Sequence, residues 1–261
     1  MIFQAYNLKL DWHQELPLYW FDKSPFKTHF MNSLSTRFFH GEKFFIDTVN
    51  KFKNDIENEQ LKEEVRLFVA QELIHRSVHK QFDDWLESKG YPIVELETLS
   101  NKQIARLEQK GSKQDMLLVT ICLEHLTTIF AEFYLTHPEL FEQMHPHFHR
   151  LWKWHAIEEI EHKSVAYDLL ESVKNKILLK RVYSLMITIS IFAKILKGTF
   201  ILLKHDKQLW KWNTLTDACS FLFNSNNGLI RNIVFPYLRI MNKQFNPTDI
   251  DHTALLARYQ K

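Results

Sequence analysis

The sequence predicts an all-α protein built from long helices, and two observations carry that prediction. Glycine and proline are scarce, with five and seven in 261 residues, and these are the residue types that most readily end a helix. Apolar residues also recur at the alternating spacing of three and four that marks one buried helix face. No G-x-G-x-x-G or G-x-x-x-x-G-K motif is present, so a glycine-rich phosphate-binding loop is not expected. The turn-rich all-β folds are disfavoured for the same reason.

Charge and cysteine content narrow the class of protein further. The chain carries 33 Lys and Arg against 31 Asp and Glu, so no basic stripe for nucleic acid is expected. Its two cysteines, Cys122 and Cys219, form no metal-type pair and no disulfide framework, which is typical of a reduced compartment. The first residues lack the basic and apolar regions of a secretion signal. We therefore expect a cytoplasmic protein that does not bind nucleic acid.

Caps, breakers and periodicity predict the helices in order along the chain. Residues 1–27, with Pro17 and Pro25, form an irregular lead-in. Residues 28–175 are expected to form a four-helix bundle, and residues 176–261 to form further helices packed on it. The predicted bundle helices cover about 26–56, 60–88, 114–135 and 146–173, and a connector at 89–113 holds one short helical piece near 103–109.

The segment 182–203 is strongly apolar and is interrupted only by Lys194, Lys197 and Gly198. Three interpretations are open: a helix packed on the bundle, a helix lying on a membrane surface, or a membrane span. Two lysines inside a span are costly, and a span needs about 20 mostly apolar residues. Packing on the bundle is therefore favoured, with peripheral membrane contact as the next choice. Shorter helices are expected at about 215–223 and 230–241.

The apolar face of each bundle helix is interrupted near its middle by a carboxylate. These carboxylates are Glu42, Glu72, Glu124 and Glu159, and two of the faces also carry a histidine, His75 and His162. Carboxylates in a core are costly unless a cation compensates them, and no face supplies a Lys or Arg. Two divalent metal ions would balance four carboxylates, with imidazole nitrogens as neutral ligands.

The spacing of these residues agrees with such a centre. Glu72 and His75, like Glu159 and His162, form Glu-x-x-His pairs that share one helical face. A lone Glu on each of two helices and Glu-x-x-His on each of two others is the ligand set of ferritin-like dinuclear carboxylate proteins. The midpoints between facing ligands also fall in the predicted breaks, which places the ligands at one level. The sequence therefore predicts a ferritin-like four-helix bundle with additional C-terminal helices.

Two further histidines are candidates for catalysis. His155 lies one turn before Glu159, so it is either a third nitrogen ligand, which we favour, or a hydrogen-bond donor that orients Glu159. His79 lies one turn beyond His75 and could ligate a metal, move protons or support a ligand. Glu158 and His125 fall off the metal-facing stripes, and we expect each to be exposed or to support a ligand.

Several segments of the chain carry a family resemblance. They are residues 41–45 (Gly-Glu-Lys-Phe-Phe), 71–75 (Gln-Glu-Leu-Ile-His), 124–127 (Glu-His-Leu-Thr) and 154–168, which includes His-Ala-Ile-Glu-Glu-Ile-Glu-His. Over about residues 28–170 the sequence resembles a bacterial family of predicted metal-dependent hydrolases in the ferritin-like superfamily. The arrangement of His155, Glu159 and His162 is also similar to that in p-aminobenzoate N-oxygenase-type di-iron enzymes. The resemblance implies a metal site.

Three functions are open for such a site. We favour an O₂-dependent di-iron oxidase or oxygenase acting on an apolar or aromatic small molecule, with Phe45, Phe68 and Trp152 walling the pocket. The alternative is a metal-dependent hydrolase in which a metal-bridging hydroxide attacks the substrate, and the third is iron binding or storage without catalysis. We expect two metal ions, with Fe preferred and Mn or Zn open. The oligomeric state is also open, with a homodimer as one alternative.

Overall fold

The protein is all-helical within residues 5–172, 178–242 and 244–259, which a computed structural model describes. These ranges contain no β-strand, and the all-α prediction is confirmed. The helices are α1 (Pro25–Asn50), α2 (Glu59–Ser88), α3 (Ile93–Lys110), α4 (Lys113–Thr136), α5 (Pro138–Phe141), α6 (Pro146–Glu161), α7 (Val165–Ser172), α8 (Leu178–His205), α9 (Trp212–Phe223), α10 (Leu229–Tyr237) and α11 (Thr253–Leu256). Two 3₁₀ turns cover Leu238–Met241 and Pro247–Asp249.

Local sequence fixes the starts of the bundle helices. Ser24 accepts a hydrogen bond from the backbone N–H of Lys27 at the start of α1, where Pro25 occupies the first turn. Asn58 caps α2 in the same way, and Ser112 forms a reciprocal capping box with Asp115 at the start of α4. These caps satisfy backbone groups that a helix leaves without an internal partner.

Four helical segments surround the interior where the predicted ligands lie, and α6 and α7 together form the fourth. α1 packs on α2, α4 packs on α6 and α7, and further contacts join α1 to α4 and α2 to α7. Aromatic rings fill part of the core, and Trp20 and Phe148 stack with 4.3 Å between their ring centroids. α4 is the one helix of the described residues that is long and apolar enough to cross a membrane, and 78% of its most apolar stretch is buried in the protein. That burial is typical of a core helix.

The predicted connector at 89–113 is wrong, because most of it is the 18-residue helix α3. No glycine or proline falls between Ile93 and Lys110, and Ile93, Leu96 and Leu107 are buried on the side that faces the bundle. Arg37 of α1 donates to the backbone oxygen of Leu96 at 2.7 Å. This buried bond ties α3 to α1.

The predicted fourth helix is interrupted, which corrects the expectation of one helix over 146–173. α6 ends at Glu161, a turn covers residues 162–164, and α7 begins at Val165. Lys163 at this turn donates to the backbone oxygen of Ile250 and lies 2.9 Å from Nδ1 of His252. The C-terminal segment therefore anchors the break. The predicted helix end at 173 and the predicted boundary at 175 lie outside the described residues, so the division into domains stays a prediction.

α8 covers the whole apolar segment 182–203 and packs along α1 and α4. Ser33 Oγ of α1 donates to the backbone oxygen of Ile195 at 2.8 Å. At Gly198 an added Cβ would meet Ser33 Oγ at 2.2 Å, so glycine permits this close approach. Packing on the bundle, the favoured interpretation of this segment, is what the structure shows for one side of α8.

Candidate metal centre

The structure brings the seven predicted ligand residues to one level in the interior. They lie in two groups, and within each group one ligand atom per residue lies within 4.8 Å of the others. The first group is Glu42, His75, His155 and Glu159, and the second is Glu72, Glu124 and His162. All seven are buried, with at most 4% of each residue exposed. Each group offers nitrogen and oxygen atoms to a single position.

Glu159 faces both groups. Its Oε1 atom lies 3.1 Å from Nε2 of His155 and 3.6 Å from Nδ1 of His75. Its Oε2 atom lies 3.5 Å from Nε2 of His162. Oε1 of Glu72 is similarly placed, at 3.3 Å from His162 and 3.7 Å from His75. These two carboxylates therefore lie between the groups, whereas Glu42 lies at the edge of the first.

The hydrogen bonding of the carboxylates fits metal ligands. Both side-chain oxygens of Glu42, Glu72 and Glu124 are buried, and none of these six atoms hydrogen-bonds to a described residue. Buried polar atoms are nearly always satisfied, and leaving them without a partner costs free energy. A divalent cation in each group would satisfy these atoms without any further side chain. The residues present thus fit bound metal ions.

The electrostatics of the cluster agree with that fit. Burial, followed by repulsion from Glu159, raises the pKa of Glu42 and of Glu124 well above the usual range. Burial also raises the pKa of Glu159, but the hydrogen bonds and charges of His155 and His162 outweigh it and leave the pKa well below the usual range. The raised values mean that these carboxyls retain protons unless cations replace them.

Hydrogen bonds on the outer side orient two of the histidines. Nε2 of His75 lies 3.1 Å from Oε2 of Glu158, and Nδ1 of His162 lies 3.2 Å from Oε1 of Gln71. The other ring nitrogen of each histidine faces the ligand groups. Burial raises the pKa of Glu158 to about 8, although a hydrogen bond from Trp154 opposes the shift. Partners of this kind fix the tautomer and the orientation of metal-binding imidazoles.

His79 lies next to the first group but belongs to neither. Its Nε2 atom is 3.2 Å from Nδ1 of His155, and its Nδ1 atom is 2.8 Å from Oγ of Ser35. Ser35 in turn donates to Asp83 at 3.5 Å. Burial, followed by the charge of His155, lowers the pKa of His79 well below its usual range. A buried hydrogen-bonded chain thus leads from His155 to Asp83.

A comparison with protein families matches residues 4–251 to the family described as "Predicted metal-dependent hydrolase". The chain belongs to this family. Comparisons with curated proteins and with solved structures found no match. The family description supports the metal-dependent hydrolase better than the O₂-dependent oxidase that the sequence favours.

The protein has an apolar cavity of about 110 Å³ that reaches the first ligand group. Glu42, His155 and Glu159 lie at that end. The walls come from α1, α3, α4, α6, α8 and α10, and include Phe38, Phe45, Leu123, Phe130, Trp152, Ile195 and Ile233. Phe45 and Trp152 therefore line the pocket as predicted. Phe68 is not among its lining residues and packs on the ring of His162 instead, at 4.9 Å between centroids.

Several residues that hydrogen-bond to the site are not predicted as site residues by the sequence. Gln71 and Ser35 each hydrogen-bond to a histidine of the site, and Trp154 donates to Glu158 at 2.7 Å. Ser35 lies two turns before Glu42 on α1, which is a signal that periodicity could have used. Glu158 is only 3% exposed, so the supporting role, not exposure, holds for it.

His125 is also buried, although it follows the candidate ligand Glu124 directly. Its ring packs against Tyr237 and Phe245 of the C-terminal segments, at 5.5 and 4.6 Å between centroids. Burial lowers its pKa to about 4. The two expected roles, exposure or support of a metal ligand, are therefore not what the structure shows for His125. Instead, it joins α4 to the C-terminal part of the chain.

Proposed function

We propose that the protein is a dinuclear-metal hydrolase with a ferritin-like bundle, and that it cleaves an ester of an apolar or aromatic small molecule. Membership of the predicted metal-dependent hydrolase family supports hydrolysis. The order Glu, Glu-x-x-His, Glu, Glu-x-x-His along four helices supports the ferritin-like assignment. One observation carries the proposal: Glu159 faces both ligand groups and also lines the apolar cavity.

The two ligand groups would each hold one metal ion. Glu42, His75 and His155 would bind the first ion, Glu124 and His162 the second, and Glu72 and Glu159 would lie between them. Carboxylate and imidazole donors suit Fe, Mn and Zn. Iron remains our preferred ion, since the ligand set is that of dinuclear carboxylate proteins.

The cavity determines how a substrate would lie. Phe38, Leu123 and Phe130 would hold its apolar part and exclude water, so that the ester carbonyl lies at the end formed by Glu42 and His155. When bound, the metal ions supply Lewis-acid polarisation and a water of lowered pKa. Water adds to the acyl carbon, the acyl–oxygen bond breaks, and the alcohol leaves with a proton.

His79 would act on this reaction through His155. With Nε2 of His155 directed at the first ligand group, its Nδ1 atom carries the proton and donates to His79. His79 then donates to Ser35, which fixes the ring of His155 in one orientation. The same contacts would hold a proton next to the site during turnover.

The O₂-dependent oxidase remains a second candidate, and one observation favours it. The first group holds two imidazoles and the second group holds one. The ligand residues that line the cavity, Glu42, His155 and Glu159, all belong to the first group. Such asymmetry gives one metal position access to substrate, which redox chemistry on an apolar molecule also requires.

Metal analysis combined with ester assays, in air and without oxygen, tests the proposal. We expect about two metal ions per chain and ester hydrolysis that persists without oxygen. Glu159→Ala should abolish both, while Glu171→Ala, which changes an exposed carboxylate of α7, should change neither. Rapid O₂ uptake by the ferrous protein without ester hydrolysis would establish the oxidase instead. Loss of hydrolysis with full metal loading in Glu159→Ala would contradict the ligand assignment.

A further inference from the structure

α8 is apolar on two opposite sides, and the fold accounts for only one of them. The inner side packs on the bundle through buried residues such as Ile195 and Leu202. The outer face is formed by Met186, Ile189, Leu196 and Phe200, which are 63%, 60%, 36% and 47% exposed. Their spacing of three, seven and four residues places them in one stripe about 21 Å long. Single exposed apolar residues are common, but a continuous stripe indicates an interaction surface.

Two exposed tryptophans follow α8 in the sequence. Trp210 and Trp212 lie between α8 and the first turn of α9, and they are 80% and 76% exposed. Tryptophan carries a large apolar ring with one polar N–H, and it is enriched where proteins meet the boundary between lipid and water. Neither indole contributes to the buried core.

The charge of this region identifies the partner. Residues 178–242 contain nine Lys and Arg but only two Asp and no Glu, whereas the whole chain carries a net charge of +2. Lys197, Lys204, Lys207 and Lys211 are exposed along or just beyond the outer face. Asp206, one of the two acids, accepts hydrogen bonds from Tyr19 and Tyr91. The surface around the stripe is therefore basic.

A basic apolar surface fits an anionic lipid bilayer better than a second copy of the chain. A symmetric dimer through α8 would bring the same lysines together, and like charges across an interface oppose association. Anionic lipid headgroups attract the lysines, while the apolar stripe can enter the acyl boundary. We propose that the outer face of α8, with Trp210 and Trp212, docks on the surface of a membrane that contains anionic lipid, with the helix parallel to the bilayer.

The docked helix would also border the candidate active site. Ile191, Phe192 and Ile195 of α8 line the apolar cavity that reaches Glu42 and His155. One helix thus separates the bilayer from the cavity. Docking explains how an apolar substrate reaches the interior, but it does not depend on the reaction being hydrolysis.

Vesicle flotation tests the docking. The full-length protein is mixed with vesicles of phosphatidylcholine alone or of phosphatidylcholine with phosphatidylglycerol. We expect binding to the anionic vesicles that weakens in high salt. The double variant I189E/L196E should bind about tenfold or more weakly, since it places charge where apolar side chains enter the lipid. Val94→Glu is the control for an added surface charge, because Val94 is 62% exposed on α3 and is not one of the four residues of the outer face.

Thermal unfolding and light scattering complete the design. Both variants change exposed residues, so their unfolding temperatures should match that of the unchanged protein. Absence of binding to anionic vesicles, or undiminished binding by I189E/L196E, would overturn the proposal. A dimer that I189E/L196E dissociates, without vesicle binding, would assign the surface to a second copy instead. Ester hydrolysis in detergent measures the proposed function separately, and I189E/L196E should leave it unchanged.

Discussion

Oε2 of Glu158 lies 3.1 Å from Nε2 of His75, on the side of the imidazole that faces away from the ligand groups. Its neighbour Glu159 directs both oxygens into those groups. Two adjacent glutamates of α6 therefore have different relations to the centre. A metal bound by Nδ1 of His75 requires the ring proton on Nε2, where Glu158 accepts it.

This difference predicts unequal losses of metal. Glu159→Ala should remove binding at both positions, because each position loses a ligand. Glu158→Ala should lower metal affinity by about 10- to 100-fold, because His75 loses the partner that orients it. Elemental analysis and chelator competition measure both effects. Equal losses in the two variants would show that the assignment of Glu159 over Glu158 is wrong.

His79→Phe should separate catalysis from metal binding. The variant keeps a ring of similar size against Phe38 but removes the hydrogen bonds to His155 and Ser35. We expect metal content near that of the unchanged protein and a turnover number on the ester lower by about 10- to 100-fold. Loss of one metal ion per chain would instead make His79 a ligand.

Removal of the metal ions should destabilise the protein at neutral pH. Without cations, burial raises the pKa of Glu42, Glu72 and Glu124 well above the usual range, and none of their side-chain oxygens hydrogen-bonds to a described residue. A ligand present at about 100 times its dissociation constant stabilises the folded state by about 2.7 kcal/mol. Calorimetry before and after chelation, followed by addition of metal, measures the difference. An unfolding temperature that rises on chelation would count against bound metal in the folded protein.

The arrangement of the ligand groups was predictable because it depends on local periodicity. Glu72 and His75 share a face whatever surrounds the helix, and the same holds for Glu159 and His162. The antiparallel order of consecutive helices then sets the level at which the four faces meet. Chemistry that follows from spacing within a helix can therefore be read from sequence.

Features fixed by distant residues could not be predicted in this way. The break after Glu161 depends on Lys163, whose partners Ile250 and His252 lie nearly 90 residues away. Glu158 lies off the metal-facing stripe of its helix, and only the packing of α2 places His75 beside it. Analogy between folds favours oxidation at such a site, but it constrains the ligands more than the reaction.

Two glycine-to-alanine substitutions, one on α8 and one on α1, should have opposite effects on stability. Gly198→Ala would place a Cβ 2.2 Å from Ser33 Oγ, and the shift needed should lower stability by about 1–3 kcal/mol. At Gly41 an added Cβ meets nothing within 4 Å, so Gly41→Ala should raise stability by up to about 1 kcal/mol, since alanine favours a helix. Urea denaturation measures both. A stabilising Gly198→Ala would contradict the close packing of α8 on α1.

Asp206, just beyond α8, anchors that helix to the start of the chain. Its Oδ2 atom lies 3.0 Å from the Tyr19 hydroxyl, 2.9 Å from Nε2 of His29 and 2.9 Å from the Tyr91 hydroxyl. Burial raises the pKa of Asp206, but hydrogen bonds from His29, His205 and Tyr91 outweigh it and leave the pKa below its usual range. Asp206→Asn should therefore lower stability at neutral pH, by about 2 kcal/mol or more.

The pH dependence of this loss is a sharper test than its size. A carboxylate with a lowered folded pKa stabilises the protein above its unfolded pKa, about 3.9 for aspartate, and the contribution disappears as the pH falls through the folded value. The difference between Asp206→Asn and the unchanged protein should thus shrink as the pH falls below about 4. Asp84→Asn, which removes an exposed pair with Lys80, should cost less than about 0.5 kcal/mol throughout. A difference at Asp206 that persists undiminished in acid would mean that the charge of the carboxylate does not stabilise this junction.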